Sequence, residues 1–156
     1  TSFAATAFRP SVAVVSLASH DGSAGALVDT NIWVDCIDRQ SPWHEWAVEQ
    51  LQACSERFPL HINLIIYTEL LVPGPDTASL DALLDVYETL RSALPWSCAA
   101  LTAAAFSQYR RRGGSRLLPM PDFYIGAHAA VANLSVLTRD PGGYRSYFPK
   151  LAVISP

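Results

Sequence analysis

Lysine is almost missing from this chain: Lys150 stands alone among 156 residues. Charged residues of every kind make up only 16%, while half of the chain is apolar. That balance excludes a disordered tail or a coiled coil. No apolar run approaches the roughly 18 residues that a membrane span needs, so no membrane association is expected. The three cysteines, Cys36, Cys54 and Cys98, are odd in number and scattered, with neither a Cys-x-x-Cys pair nor Cys/His ligand spacing. They argue against a disulfide framework or a zinc site and for free thiols in a reducing cytoplasm. Residues 1–23 lack the charged start of a secretory signal, since Arg9 is the only charge ahead of the apolar Val12–Leu17 run. Residues 1–25 are expected to be an extension, loosely ordered or artificially added. A single domain over 26–156, long enough to bury a substantial core, would follow.

The net charge of −3 hides an asymmetry. Residues 1–96 carry four basic side chains against twelve acids, a balance of −8. Residues 97–156 carry seven (Arg110, Arg111, Arg112, Arg116, Arg139, Arg145, Lys150) against Asp122 and Asp140, a balance of +5. A positive sector of that size could hold phosphates while the molecule stays acidic.

Ala26–Val28, running into Asp29, is a short apolar run without alternation, as in a strand buried on both faces. Ser41-Pro42 opens a helix whose Trp43, Ala47, Leu51 and Cys54 form one stripe. His61–Ile66 is expected to be a second strand running into Tyr67–Leu71. Asp76-Thr77 caps a helix with Leu80, Leu83, Leu84, Tyr87 and Leu90 on its buried face, stopped by Pro95. Ser97 begins another, ending in Arg110–Arg112 and Gly113-Gly114, with its cations at the favourable end of the dipole. Pro121-Asp122 starts a helix through Ala132, rich in small residues that permit close approach to a sheet. Leu134–Thr138 and Leu151–Ile154 read as the last strands. Strands alternating with helices predict an α/β fold, a three-layer α/β/α sandwich around a mainly parallel sheet.

Four acids occupy similar settings. Asp29 and Asp140 follow strands, while Glu69 and Asp122 sit at helix starts. Open parallel sheets bind ligands outside the carboxyl ends of their strands, where the strand order reverses; the four acids could converge on that rim. Converging carboxylates repel one another and are driven toward protonation unless a cation joins them. Mg²⁺ or Mn²⁺ suits oxygen ligands and, beside a phosphodiester, supplies Lewis-acid polarisation and a more acidic water. A single Asp at a strand end is more often a helix cap or a turn former. Asp122 could be no more than helix-start charge, and Asp140 a turn former before Pro141-Gly142-Gly143. The set of four carries more than any member.

Leu27-Val-Asp29-Thr-Asn-Ile-Trp33, Ile66-Tyr-Thr-Glu69-Leu70, Pro121-Asp122-Phe-Tyr-Ile-Gly-Ala-His-Ala129, Leu137-Thr-Arg-Asp140 and Tyr144-Arg-Ser-Tyr-Phe-Pro149 together resemble the PIN-domain family, and within it the VapC toxins. The resemblance spans about 26–156, in the family's order and spacing. It implies a Mg²⁺- or Mn²⁺-dependent endoribonuclease that cuts RNA, often tRNA or rRNA, and arrests growth. It also implies a cognate antitoxin, a homodimer, and metal-binding acids at Asp29, Glu69, Asp122 and Asp140. Asn31 and Thr138 match small polar positions that would hydrogen-bond those carboxylates. The extension ahead of residue 26 departs from the family pattern.

Arg110–Arg112 and Arg116 could grip RNA phosphates or be a solvated helix end. Arg112 and Arg116 are the candidates for contact with substrate or antitoxin. His128, six residues after Asp122, turns away from it and is expected to pack rather than act as a base. Trp33, Trp43 and Trp46 are expected in the core, with an interface groove as the alternative. Two other functions compete. One is an inactive PIN-like module that only binds RNA or protein. The other is a haloacid-dehalogenase-type phosphatase, which needs a second Asp where Asn31 stands and a lysine that the chain lacks before Lys150.

Overall fold

The computed structural model describes residues 23–72, 74–114 and 120–156. The expected extension therefore lies almost wholly outside the described residues, as does Arg116. Ser23–Gly25 are described, and they are tied down: Ala24 N–H donates to the Asn133 carbonyl, and the Ser135 N–H donates to the Gly25 carbonyl.

Five strands form one sheet: β1 (Ala26–Val28), β2 (Leu60–Ile62), β3 (Leu90–Arg91), β4 (Ser135–Leu137) and β5 (Val153–Ile154). All pair in parallel in the order β3-β2-β1-β4-β5. β1 is central and fully buried, with Leu27 level with His61 on one side and Val136 on the other. Parallel pairing needs helical crossovers, and the described chain supplies seven helices. They are α1 (Thr30–Ile37), α2 (His44–Ser55), α3 (Leu64–Leu71), α4 (Thr77–Val86), α5 (Cys98–Arg111), α6 (Met120–Val131) and α7 (Gly142–Tyr147). From β1 the chain first moves outward to β2 and β3, then crosses back to β4 and on to β5. With crossovers of one hand, the two directions distribute the helices over both faces. The three-layer α/β/α expectation holds, and the sheet is wholly parallel.

Local chemistry explains where the sequence expectation fails. The second strand stops at Ile62, because Asn63 caps α3 by accepting the Ile66 N–H through its side chain at 3.0 Å. Leu64–Ile66 are therefore helical, and Glu69 lies well inside α3 rather than at its start. α4 ends at Val86, not before Pro95. Glu88 takes a left-handed φ of 50° and turns the chain into β3, an edge strand in which Leu90 is half exposed. α1 and α7 were both absent from the expectation. The Ser41-Pro42 signal marks a turn just ahead of α2: the Ser41 hydroxyl accepts the Trp43 N–H and its carbonyl accepts the His44 N–H. Ala47, Leu51 and Cys54 of the expected stripe are buried. The stop at Gly113, with φ 78°, is as expected.

The core runs through Leu27, Ile32, Trp33, Leu51, Ile62, Ile66, Leu80, Leu84, Ile125 and Leu137. Trp33 and Trp46 belong to it, which removes them from any exposed groove. His128 is also buried, its Nδ1 3.1 Å from the Asn63 side-chain nitrogen, and burial pushes its pKa down. It packs, as expected. The small residues of α6 serve a specific approach. A Cβ on Gly126 would lie 2.4 Å from the ring of Phe148, itself buried. A close-packed interior cannot give way cheaply there. Gly126→Ala is expected to cost about 1–3 kcal/mol in denaturant unfolding, and an unchanged midpoint would refute that close contact.

Candidate functional site

The central strand ends in Asp29, which plays two parts. It is the N-cap of α1, its Oδ1 accepting the Thr30 N–H at 2.7 Å. Its other oxygen, Oδ2, accepts from the hydroxyls of Thr138 at 2.9 Å and Tyr144 at 2.8 Å, with the Asn31 amide at 3.4 Å. Thr138 and Asn31 also join the ends of β1 and β4. Thr138 Oγ1 accepts from Asn31 Nδ2 and from the Asp140 N–H, each at 3.1 Å, while Asn31 Oδ1 accepts the Arg139 N–H. These two short polar side chains lock the switch point of the sheet, where the order reverses between β1 and β4.

Asp29, Glu69, Asp122 and Asp140 line one cavity of about 360 Å³, together with Thr30, Asn31, Arg139, Tyr144 and Tyr147. Elements distant in sequence deliver them: β1 brings Asp29, α3 brings Glu69, the first turn of α6 brings Asp122, and the loop after β4 brings Asp140. Glu69 accepts from the Thr30 hydroxyl at 3.0 Å. Among the described residues, no side chain donates to the carboxylate of Asp122 or Asp140.

Crowding shows in the proton affinities. Asp122 is pushed up to about 6, by burial first and then by the charges of Asp29, Glu69 and Asp140. Burial raises Asp29, against the lowering hydrogen bonds from Tyr144, Thr138 and Thr30. Burial likewise raises Glu69, with Asp29 adding to it. Each group is more costly to ionise here than in water, and a cation would relieve all of them.

The four acids share a cavity but not a coordination shell. Among the described residues, no three His, Cys, Asp or Glu side chains are spaced to hold a metal ion. Mg²⁺ does not require such a cage, because it dehydrates reluctantly and is held by one or two carboxylates with retained water. An all-oxygen donor set fits that ion.

Several side chains around the site carried no signal in the sequence reading. Tyr144 enters the sequence reading only through the C-terminal motif Tyr144–Pro149. Asp35, nearly buried, ion-pairs with Arg139 at 2.6 Å and accepts from Ser41 at 2.8 Å. This pair occupies the guanidinium of Arg139, which also lies over the Trp43 ring. Arg112 is exposed and stands 5.3 Å over the ring of Tyr147, a wall of the cavity. Arg110 lies over Phe106 instead.

A family model described as PIN domain matches residues 26–148. Among solved structures, the chain is similar to the VapBC2 complex of Rickettsia felis bound to a promoter DNA fragment. Identity there is 16% and the TM-score 0.66, covering 84% of this chain and 98% of that one. It is similar to FitAcB of Neisseria gonorrhoeae at 23% identity and a TM-score of 0.62, covering 83% and 96%. A toxin–antitoxin complex from Klebsiella pneumoniae gives 22% identity and a TM-score of 0.59, covering 83% and 96%. Comparison with curated proteins gave no match.

Crowding predicts a pH-dependent stability change. Because the folded-state pKa of Asp122 is raised from 3.8 to about 6, stability from its protonated form is present below 3.8 and lost as pH rises through about 6. At pH 8, in the presence of a chelator, Asp122→Asn should be more stable than the parent by about 1–2 kcal/mol, allowing for solvent screening. The two should nearly coincide at pH 4. Unfolding midpoints at the two pH values check this, and a variant weaker than the parent at pH 8 contradicts it.

Proposed function

The chain belongs to the PIN-domain family, and from that footing we propose that it is a divalent-metal-dependent endoribonuclease, the toxin of a toxin–antitoxin pair. The observation that carries this reading is the shared cavity, which four carboxylates line and where burial and the neighbouring acids raise Asp122 to about 6. Asp29, Asp122 and Asp140 would close on a Mg²⁺ or Mn²⁺ ion that keeps part of its water, since they are not spaced as a ready-made cluster, and Glu69 would orient the attacking water or help hold a second ion. When bound, the ion supplies Lewis-acid polarisation of the phosphate and lowers the pKa of a coordinated water. The chain's own residues do the rest. Thr30 aims Glu69, while Thr138 and Asn31 fix Asp29 and the backbone of Asp140 at the reversal of the sheet.

RNA is the proposed substrate, with tRNA or rRNA as the class to test first. Arg112, which lies over Tyr147 at the cavity wall, would meet a backbone phosphate or an antitoxin carboxylate. Arg116 is proposed alongside it from the sequence alone. A cognate antitoxin is proposed as the partner, supported by similarity to a chain whose structure is described as a toxin–antitoxin complex. A homodimer working in the cytoplasm completes the proposal, with 26–156 as the nuclease domain. Among the described residues no helix is long and apolar enough to cross a membrane.

Purified protein should cleave RNA with Mg²⁺ or Mn²⁺ and stop when the ion is chelated. Asp29→Asn should lower cleavage by at least a hundredfold and abolish growth arrest while circular dichroism remains that of the parent. RNA that stays intact with the parent protein and either metal would leave a binding module in place of the enzyme.

A further inference from the structure

Asp29 receives more hydrogen bonds than any other acid of the cavity, and their distribution is uneven. One donor, the Thr30 N–H, serves Oδ1; the hydroxyls of Thr138 and Tyr144 and the more distant amide of Asn31 all serve Oδ2. A carboxylate offers about four acceptor positions, two on each oxygen. Oδ2 is therefore saturated, and the free position is on Oδ1. Thr30, Asn31 and Thr138 come from the ends of β1 and β4, the strands that already define the switch point. Tyr144 differs, because it arrives from α7, packed against α5 and α6. Its ring is buried at 5% exposure while its hydroxyl reaches the cavity.

We propose that Tyr144 is a positioning residue that occupies Oδ2 of Asp29 and leaves Oδ1 as the oxygen presented to the divalent ion. The inference rests on the metal-dependent reading above and assigns this tyrosine no part in the chemical step. Its effect is on the ion's affinity: an anchored carboxylate loses less freedom when it becomes a ligand. Side chains that orient a ligand in this way are commonly worth 10–100-fold in metal affinity.

Calorimetric titration of the protein with Mn²⁺, without RNA, tests this. Tyr144→Phe should raise the Mn²⁺ dissociation constant about tenfold with the circular dichroism unchanged. Tyr124→Phe, at a tyrosine outside the cavity lining, should leave it unchanged. The metal concentration for half-maximal RNA cleavage should shift by the same factor, and saturating Mn²⁺ should restore most of the rate. If Tyr144→Phe does not fold, Thr138→Val, which removes the other hydroxyl from Oδ2, should weaken binding likewise. A parent that binds Mn²⁺ and a folded variant that binds it equally well or more tightly would overturn the role of Tyr144 alone. A parent that binds no Mn²⁺ would overturn the metal reading and this inference with it.

Discussion

Like charges gathered at one rim of a small parallel sheet set the terms for everything around them. Asp29 is 6% exposed, and an ionised carboxylate so buried must be compensated by donors or by a cation. The protein supplies donors to Asp29 and Glu69 but none, among the described residues, to Asp122 and Asp140. Asp140 is exposed to water, so among the described residues the cost falls on Asp122. Burial first, and then the charges of Asp29, Glu69 and Asp140, push Asp122 up to about 6. An amide in place of Asp122 would relieve that repulsion; under the proposed function a cation relieves it instead.

The rest of the architecture can be understood as support for that rim. Strands of two or three residues form little ladder of their own, so the sheet depends on what grips its ends. Asn31 and Thr138 join β1 to β4 where the rim opens, and Asn63, bonded to the buried His128, ties the end of β2 to α6. Buried polar groups tied in this way specify one arrangement, because any slippage leaves them without partners. Gly126 lets Phe148 close against α6, and α6 is the helix that carries Asp122 into the cavity. The partly buried Arg139–Asp35 pair fastens the loop after β4 to α1 and, through Ser41, to the turn before α2.

What the sequence made legible were features with strong local signals. The apolar run at Ala26–Val28, the Asp76 cap of α4, the double glycine after α5 and the small-residue helix α6 each follow a rule that acts over a few residues. The acids were legible as a set because they recur beside such features. β3 was hidden because Glu88, not glycine, makes the left-handed turn that ends α4, so the apolar pattern seemed to run on through Leu90. α1 was hidden because Asp29 and Thr30 looked like the end of a strand, although the same aspartate caps the helix that follows. α7 lies behind Pro141-Gly142-Gly143, which signals a turn, and it has only six residues. Tyr144 was lost with it, since a contact across 115 positions leaves no local trace.

The two kinds of acid in the cavity suggest how affinity and turnover can be separated in one small site. Asp29 and Glu69 are oriented before any ligand arrives, so the entropy of ordering them has already been spent in folding. Among the described residues no side chain pins Asp122 or Asp140; in the proposed nuclease they could adjust as a ligand enters and as a reacting phosphate changes shape. Were all four clamped, a bound ion would be held too rigidly to follow that change. Were all four free, their repulsion would keep them apart and leave no site for an ion to find. A half-fixed set satisfies both demands. It also explains why the hydrogen bonds concentrate on Asp29, the most deeply buried of the four and the one whose misplacement the other three could not correct.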